Sequence, residues 1–211
     1  MMKSLTLWLA VLITVAMALP NSVLANGAAK NEGAPAYTTD GRLIPPIGYY
    51  HWVFLTSDLG MSYSESGSAS DHPPFSNVFV NPAAYRVFLK TGTWPDKTVL
   101  VKEFRGSSTK GSINHHGYFQ SGKTLGVLVH VKDEARYKGG WAFFAFDGNA
   151  SAKPARKIPV SAACYSCHLA HGAVDTTFVQ FYPSLLPIAK KYSTLSAAYL
   201  KDEAKHKSSN K

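Results

Sequence analysis

Both cysteines of this 211-residue chain fall in one run of five residues, Cys164-Tyr165-Ser166-Cys167-His168. Cys-x-x-Cys-His is the attachment signature of a c-type haem. Two thiols three positions apart can add to the two vinyl groups of one porphyrin. The histidine directly after the second thiol can place a ring nitrogen on the iron. The iron would then carry the chemistry, because amino-acid side chains do poor redox work alone. The residues also admit a disulfide, a thioredoxin-like dithiol, or part of a zinc site with His168, His171 and Asp175. A thioredoxin-like site would follow a strand in a βαβ unit, whereas a Lys/Pro/Ala-rich stretch precedes this one. A zinc site lacks a second cysteine pair.

The N-terminus gives an address that agrees with the motif. Met1-Met2-Lys3 precedes an apolar run from Leu5 to Leu19, and Pro20 to Ala25 ends in small residues. This is a charged, then apolar, then cleavable leader, with cleavage expected after Ala25. The apolar run is short of the ~20 residues that span a bilayer, and no later segment is long and apolar enough. Export to the periplasm is expected, on the side where c-type haem is attached. Nucleic acid is an unlikely partner there. The formal charge of +9 reads as a solvated surface, or as steering of an acidic redox partner.

Strand and helix signals alternate along the chain. Residues 51–57 and 77–80 read as strands, and 58–74 as a long loop. Asn81 and Pro82 open a helix that Gly92 stops. Residues 98–105, 118–120 and 141–146 read as further strands. Leu125, Val127, Val129 and Val131 alternate with Gly126, Leu128, His130 and Lys132, the period of a half-buried strand. Residues 147–163 read as a linker, and Ser196 as the cap of a last helix. The expected fold class is α+β: a mainly antiparallel sheet with a few helices and the haem-binding segment at the C-terminal end. A motif so late in the chain argues against the all-helical class I cytochromes c. The expected division is a signal peptide over 1–25, a flexible lead-in over 26–48, one haem domain over 49–200 and a basic tail over 201–211.

From Trp52 to Tyr182 the chain resembles the cytochrome P-460 family, which includes cytochrome c′-beta. The landmarks are Leu59-Gly60-Met61-Ser62-Tyr63, Val78-Phe79-Val80-Asn81-Pro82, Thr91-Gly92-Thr93-Trp94-Pro95-Asp96, Val101-Lys102-Glu103, Gly140-Trp141-Ala142-Phe143-Phe144, the cysteine motif, and Phe178 to Pro183. The resemblance implies a homodimer with one covalently bound haem c and His168 as its proximal ligand. It also implies oxidation of hydroxylamine to nitrous oxide, or binding of nitric oxide. In the P-460 branch a lysine is joined to the haem macrocycle, and the matching position is Lys102. Lys102 shares a strand face with Leu100 and Phe104. Active members carry a carboxylate on the open side of the haem, at a position that falls here on Leu128. Leucine accepts no proton, and its apolar face favours small neutral gases. His130, two residues on and on the same face, is the candidate distal base.

Met61 is the only methionine after the leader and the candidate second axial ligand of an electron carrier. His51, His72, His115, His116 and His171 read as surface residues, and Arg86 and Arg105 as candidate partners of haem propionates. A five-coordinate iron is expected, since gas binding and substrate oxidation both need an open position; electrons would pass to a periplasmic partner. In protein matured by a host able to attach haem, the haem should stay with the polypeptide through denaturing acid–acetone extraction. Replacing both Cys164 and Cys167 by Ala should release all of it. A colourless product with free or mutually oxidised sulfurs would reject the haem reading.

Overall fold

The computed structural model describes residues 32–63, 70–148 and 153–209. The expected signal peptide, 1–25, and the start of the lead-in, 26–31, lie outside the described residues. Five strands, β1 (Val53–Leu59), β2 (Phe75–Val80), β3 (Val99–Ser108), β4 (Phe119–Lys132) and β5 (Trp141–Asp147), form one sheet. They lie side by side in chain order, each antiparallel to the next. Helix α1 (Pro82–Thr91) bridges β2 and β3, and α2 (Ala163–His171), α3 (Leu186–Lys191) and α4 (Ala197–Ser209) follow the sheet. The fold is α+β, as the alternation of strand and helix signals implies.

Period-two patterning gives the sheet two apolar faces. On one, Leu55, Val78, Val80 and Leu100 pack with Phe88 and Trp94, and with Val174, Val179 and Leu185 from the C-terminal segment. On the other, Val99, Val101, Val127, Val129 and Val131 pack with Ala142, Phe144 and Phe146. Valines 127, 129 and 131 share this second face, as their spacing predicts. Leu125 does not join them and is exposed: it falls at a register shift between β3 and β4, just past the last residue of β4 that pairs with β5. Residues 119–120 and 125–131 belong to one long strand rather than two, and Tyr118 lies just before it.

Two loosely packed segments of the sequence reading are in fact packed where they are described. Residues 32–48, the described part of the expected lead-in, lie against the sheet. Leu43, 1% exposed, exchanges backbone hydrogen bonds of 2.9 Å in both directions with Ala155, and its side chain joins the second core face. The physical reason is burial: Leu43, Tyr37, Tyr49 and Trp52 cover a sheet face that would otherwise meet water. Ala155 lies in the expected linker, whose Ile158 N–H also donates to Phe143 O at 2.8 Å. The described part of the expected basic tail, 201–209, is helical. Helix α4 runs through position 201, with Tyr199 buried at its start.

Local caps follow the sequence in part. Pro82 opens α1, and Gly92, at φ 72°, closes it with its N–H on Phe88 O. Asn81, however, does not cap with its side chain. Its Oδ1 accepts from Val99 N at 2.8 Å, so this buried amide ties the helix start to β3. Ser196 Oγ does cap α4, accepting from Tyr199 N at 3.1 Å.

Glu103, 3% exposed, is the buried carboxylate of the sheet. Arg105 donates to it through Nε at 2.9 Å and Nη2 at 2.8 Å, Tyr49 Oη at 2.6 Å and Asn77 Nδ2 at 3.3 Å. Burial pushes its pKa up, but these hydrogen bonds outweigh burial and hold it below the usual glutamate value. A depressed carboxylate stabilises the fold above its unfolded pKa, and that contribution fades as pH falls through the folded value. Glu103→Gln should therefore flatten the acid limb of the stability curve measured by denaturant unfolding below about pH 4.5. Leu43→Ala should cost about 2–5 kcal/mol of unfolding free energy in urea. A loss within the surface range of about 0.5 kcal/mol would show the arm to be dispensable.

Candidate functional site

Helix α2 carries the cysteine motif. Its spacing places Cys164, Cys167 and His168 on one side, one helical turn apart. None of its residues is fully buried, and all three motif residues line a common cavity of about 510 Å³ beneath it. Both thiols are free. That volume falls within the range of about 300–1,000 Å³ typical of small-molecule and cofactor sites. The helix ends where Gly172 N donates to His168 O at 3.0 Å. A Cβ on Gly172 would lie 2.6 Å from that oxygen and 2.9 Å from Thr177 N, so only glycine lets the chain turn back so tightly.

The returning segment, residues 172–178, is clamped from several elements. Trp94 Nε1 donates to Thr177 Oγ1 at 2.8 Å, and Lys132 Nζ lies 3.6 Å from Asp175 Oδ2. Ser196 Oγ donates to Gly172 O at 2.6 Å, and Gln180 Nε2 to His171 O at 2.7 Å. The result is a fixed carbonyl. His168 Nδ1 lies 2.7 Å from Thr176 O. A carbonyl only accepts, so Nδ1 carries the proton and Nε2 keeps its lone pair. Phe178 stacks on the His168 ring at 4.2 Å, with Phe143 edge-on at 4.7 Å. Burial lowers the His168 pKa, with the Lys102 charge acting the same way, and the Thr176 bond only partly opposes them. A neutral imidazole with one free, fixed nitrogen is what a metal requires of a histidine.

The sheet forms the cavity floor as parallel cross-strand rows. Leu100, His130 and Phe143 are register partners. The next row contains Val78, Lys102, Leu128 and Ala145, about 6–7 Å further along the strands. Beyond it lie Ser76, Phe104 and Gly126, with Asp58 opposite Ser76. His168 sits over the first row.

This places the expected residues. Leu128 is 40% exposed, its side chain open to the cavity. Lys102 reaches the cavity from the same row, as its shared face with Leu100 and Phe104 implies. Its surroundings are not purely apolar. Asp58 Oδ2 lies 3.4 Å from Lys102 Nζ and also accepts from Ser76 Oγ. His130 is on the same face as Leu128 and lines the cavity beside His168. It is 6% exposed, its ring stacked on Phe143 at 3.9 Å and only 5.1 Å from the His168 ring, which it meets edge-on. It flanks His168 itself. Burial and the neighbouring His168 hold its pKa well below the usual histidine value.

Met61 borders the cavity and is 37% exposed. His171 pairs with Asp202 at 2.8 Å away from the cavity, and His51, His72, His115 and His116 are exposed. Arg86 pairs with Glu32 and Arg105 with Glu103, and neither lines the cavity. Among the described residues no group of three or more His, Cys, Asp or Glu is placed to hold a metal ion, which leaves the zinc reading without a ligand set there. Sequence reading missed Asp58 and Thr176. Asp58 sits at the end of β1, which extends into the expected loop. Thr176 acts through its backbone carbonyl, which leaves no residue-type signal.

The donor set fits a c-type haem: two thiols and one tautomer-fixed imidazole border a single, mostly apolar cavity. A model of the family described as cytochrome P460 matches residues 46–179, well over half of the chain. No curated protein matches the chain. No helix among the described residues is long and apolar enough to cross a membrane.

Proposed function

We propose that this chain, which belongs to the cytochrome P460 family, is an exported mono-haem c-type cytochrome that oxidises hydroxylamine or nitric oxide in the cavity under α2. The observation that carries the reading is the free Nε2 of His168 beside Cys164 and Cys167 in one apolar cavity. Cys164 and Cys167 would hold the haem by thioethers, and His168 would ligate its iron. The haem supplies a redox-active metal with an open position for a small molecule.

The chain's own groups supply the rest. Phe104, Leu128 and Phe178 exclude water, which strengthens polar interactions inside. Lys102 projects from the floor and is the candidate third tether, to the macrocycle. Attachment would break the ion pair with the Asp58 carboxylate at 3.4 Å and would need an external two-electron oxidant, because an N–H and a ring C–H bond are replaced by one C–N bond. Oxidation of hydroxylamine releases protons with the electrons, and Asp58 is the cavity carboxylate able to receive them. Electrons leave to a periplasmic partner, and the family resemblance favours a homodimer.

A second reading is supported by Leu128. An alkyl group at the position where active relatives have a carboxylate suits a non-enzymatic nitric-oxide binder of cytochrome c′-beta type. An electron carrier with Met61 as second axial ligand is the third.

Three measurements separate these. A tryptic digest should show haem on a peptide containing Lys102 as well as on the motif peptide, and Lys102→Leu should change the absorption spectrum. Haem on the motif peptide alone would dismiss the tether. Hydroxylamine with an oxidant should yield nitrous oxide; tight nitric-oxide binding without turnover would replace the enzyme by the gas binder. A low-spin spectrum that Met61→Ala converts to high spin would favour the carrier.

A further inference from the structure

We propose that His130 is a positioning residue for His168: with the Thr176 hydroxyl it fixes the peptide carbonyl that orients the His168 imidazole. The inference rests on the reading of His168 as the haem ligand.

Thr176 is held at both ends. Its carbonyl accepts from His168 Nδ1 at 2.7 Å, and its Oγ1 lies 3.4 Å from His130 Nε2. The loop around it is clamped at Gly172, Asp175 and Thr177 and closed by Val174–Thr177 backbone hydrogen bonds, but the contact on the Thr176 side chain itself is the one from His130. Asp175, directly before Thr176, sits at φ 53°, a conformation that costs a non-glycine residue about 1 kcal/mol or more. His130 lies on β4, between β3 and β5, with its ring stacked on Phe143 at 3.9 Å and against Trp141 at 4.3 Å. The contact therefore transfers the rigidity of the sheet to the loop.

Packing alone does not explain an imidazole here. Leucine or phenylalanine would fill the same space without the cost of burying a ring nitrogen, about 1–3 kcal/mol if unpaired. The hydrogen-bond partner the structure gives that nitrogen is Thr176 Oγ1. Its consequence lies in the next bond. A short, well-aimed hydrogen bond from Nδ1 to a carbonyl makes the imidazole a stronger donor, which strengthens its bond to iron and lowers the reduction potential. When the brace is lost, the carbonyl drifts, the hydrogen bond lengthens and the ligand weakens.

The test uses the mature haem protein and two variants that keep volume, His130→Phe and Thr176→Val. Resonance Raman of the reduced protein reads the iron–imidazole stretch, and a redox titration reads the potential. Each variant should lower the stretching frequency and raise the potential. The double variant should shift no further than the larger single, because both remove one link. A Thr176→Val spectrum and potential equal to wild type would overturn the inference, even if His130→Phe shifts both. That pattern is packing alone. If His130→Phe does not fold, Thr176→Val carries the test by itself. A wild-type protein without an iron–imidazole band would reject His168 as ligand, and this inference with it.

Discussion

The hydrogen bond from His168 Nδ1 to the Thr176 carbonyl is the constraint around which the site is arranged. It assigns the tautomer of the ring, and so decides which nitrogen faces the cavity. A side-chain acceptor at the same place would bring rotamer freedom and its own titration. A backbone carbonyl brings neither, but it is only as well placed as the loop that carries it. Much of the surrounding structure serves that placement. Gly172 permits the reversal, Trp94 and Lys132 hold the loop from the sheet side, and Ser196 and Gln180 hold it from the C-terminal side.

The sheet contributes a graded floor. Because side chains alternate and strands pair in register, each cross-strand row presents a different chemistry to the cavity. The row under His168 carries two stacked aromatic rings, His130 and Phe143, beside Leu100. The next mixes one cation with aliphatic side chains, and the last brings Phe104 and the region of Asp58. One strand, β4, thus places His130 beside His168 and Leu128 in the open part of the cavity. A spacing of two residues guarantees a common face. It does not guarantee a common role, because two residues span about 6–7 Å, enough to move from one side of a site to another.

Several parts of the protein were legible in the residues themselves. The Cys164–His168 spacing pointed to one helix face, and Cys164, Cys167 and His168 do border a common cavity. The valines at 127, 129 and 131 identified a core face because a pleated strand permits no other period. Pro82, Gly92 and Ser196 marked helix ends through local stereochemistry and a single hydrogen bond. The failures share a cause. The 32–48 arm reads as loop because its turn residues dominate locally, while its burial depends on Ala155, more than a hundred residues away. Asp58 reads as a loop residue because its role depends on Lys102 across the sheet. Asn81 reads as a cap because the competing donor, Val99 N, belongs to another strand.

The sequence by itself determined the family, the α+β class, the strand faces and the residues able to attach a haem, since each rests on spacing along the chain. Tertiary structure alone decided that His130 flanks His168, that Lys102 meets a carboxylate, and that the N-terminal arm completes the second core face. These are relations between residues distant in sequence, fixed by strand register and by the packing of loops on the sheet. A one-dimensional pattern carries the direction in which a side chain points, but not what meets it there.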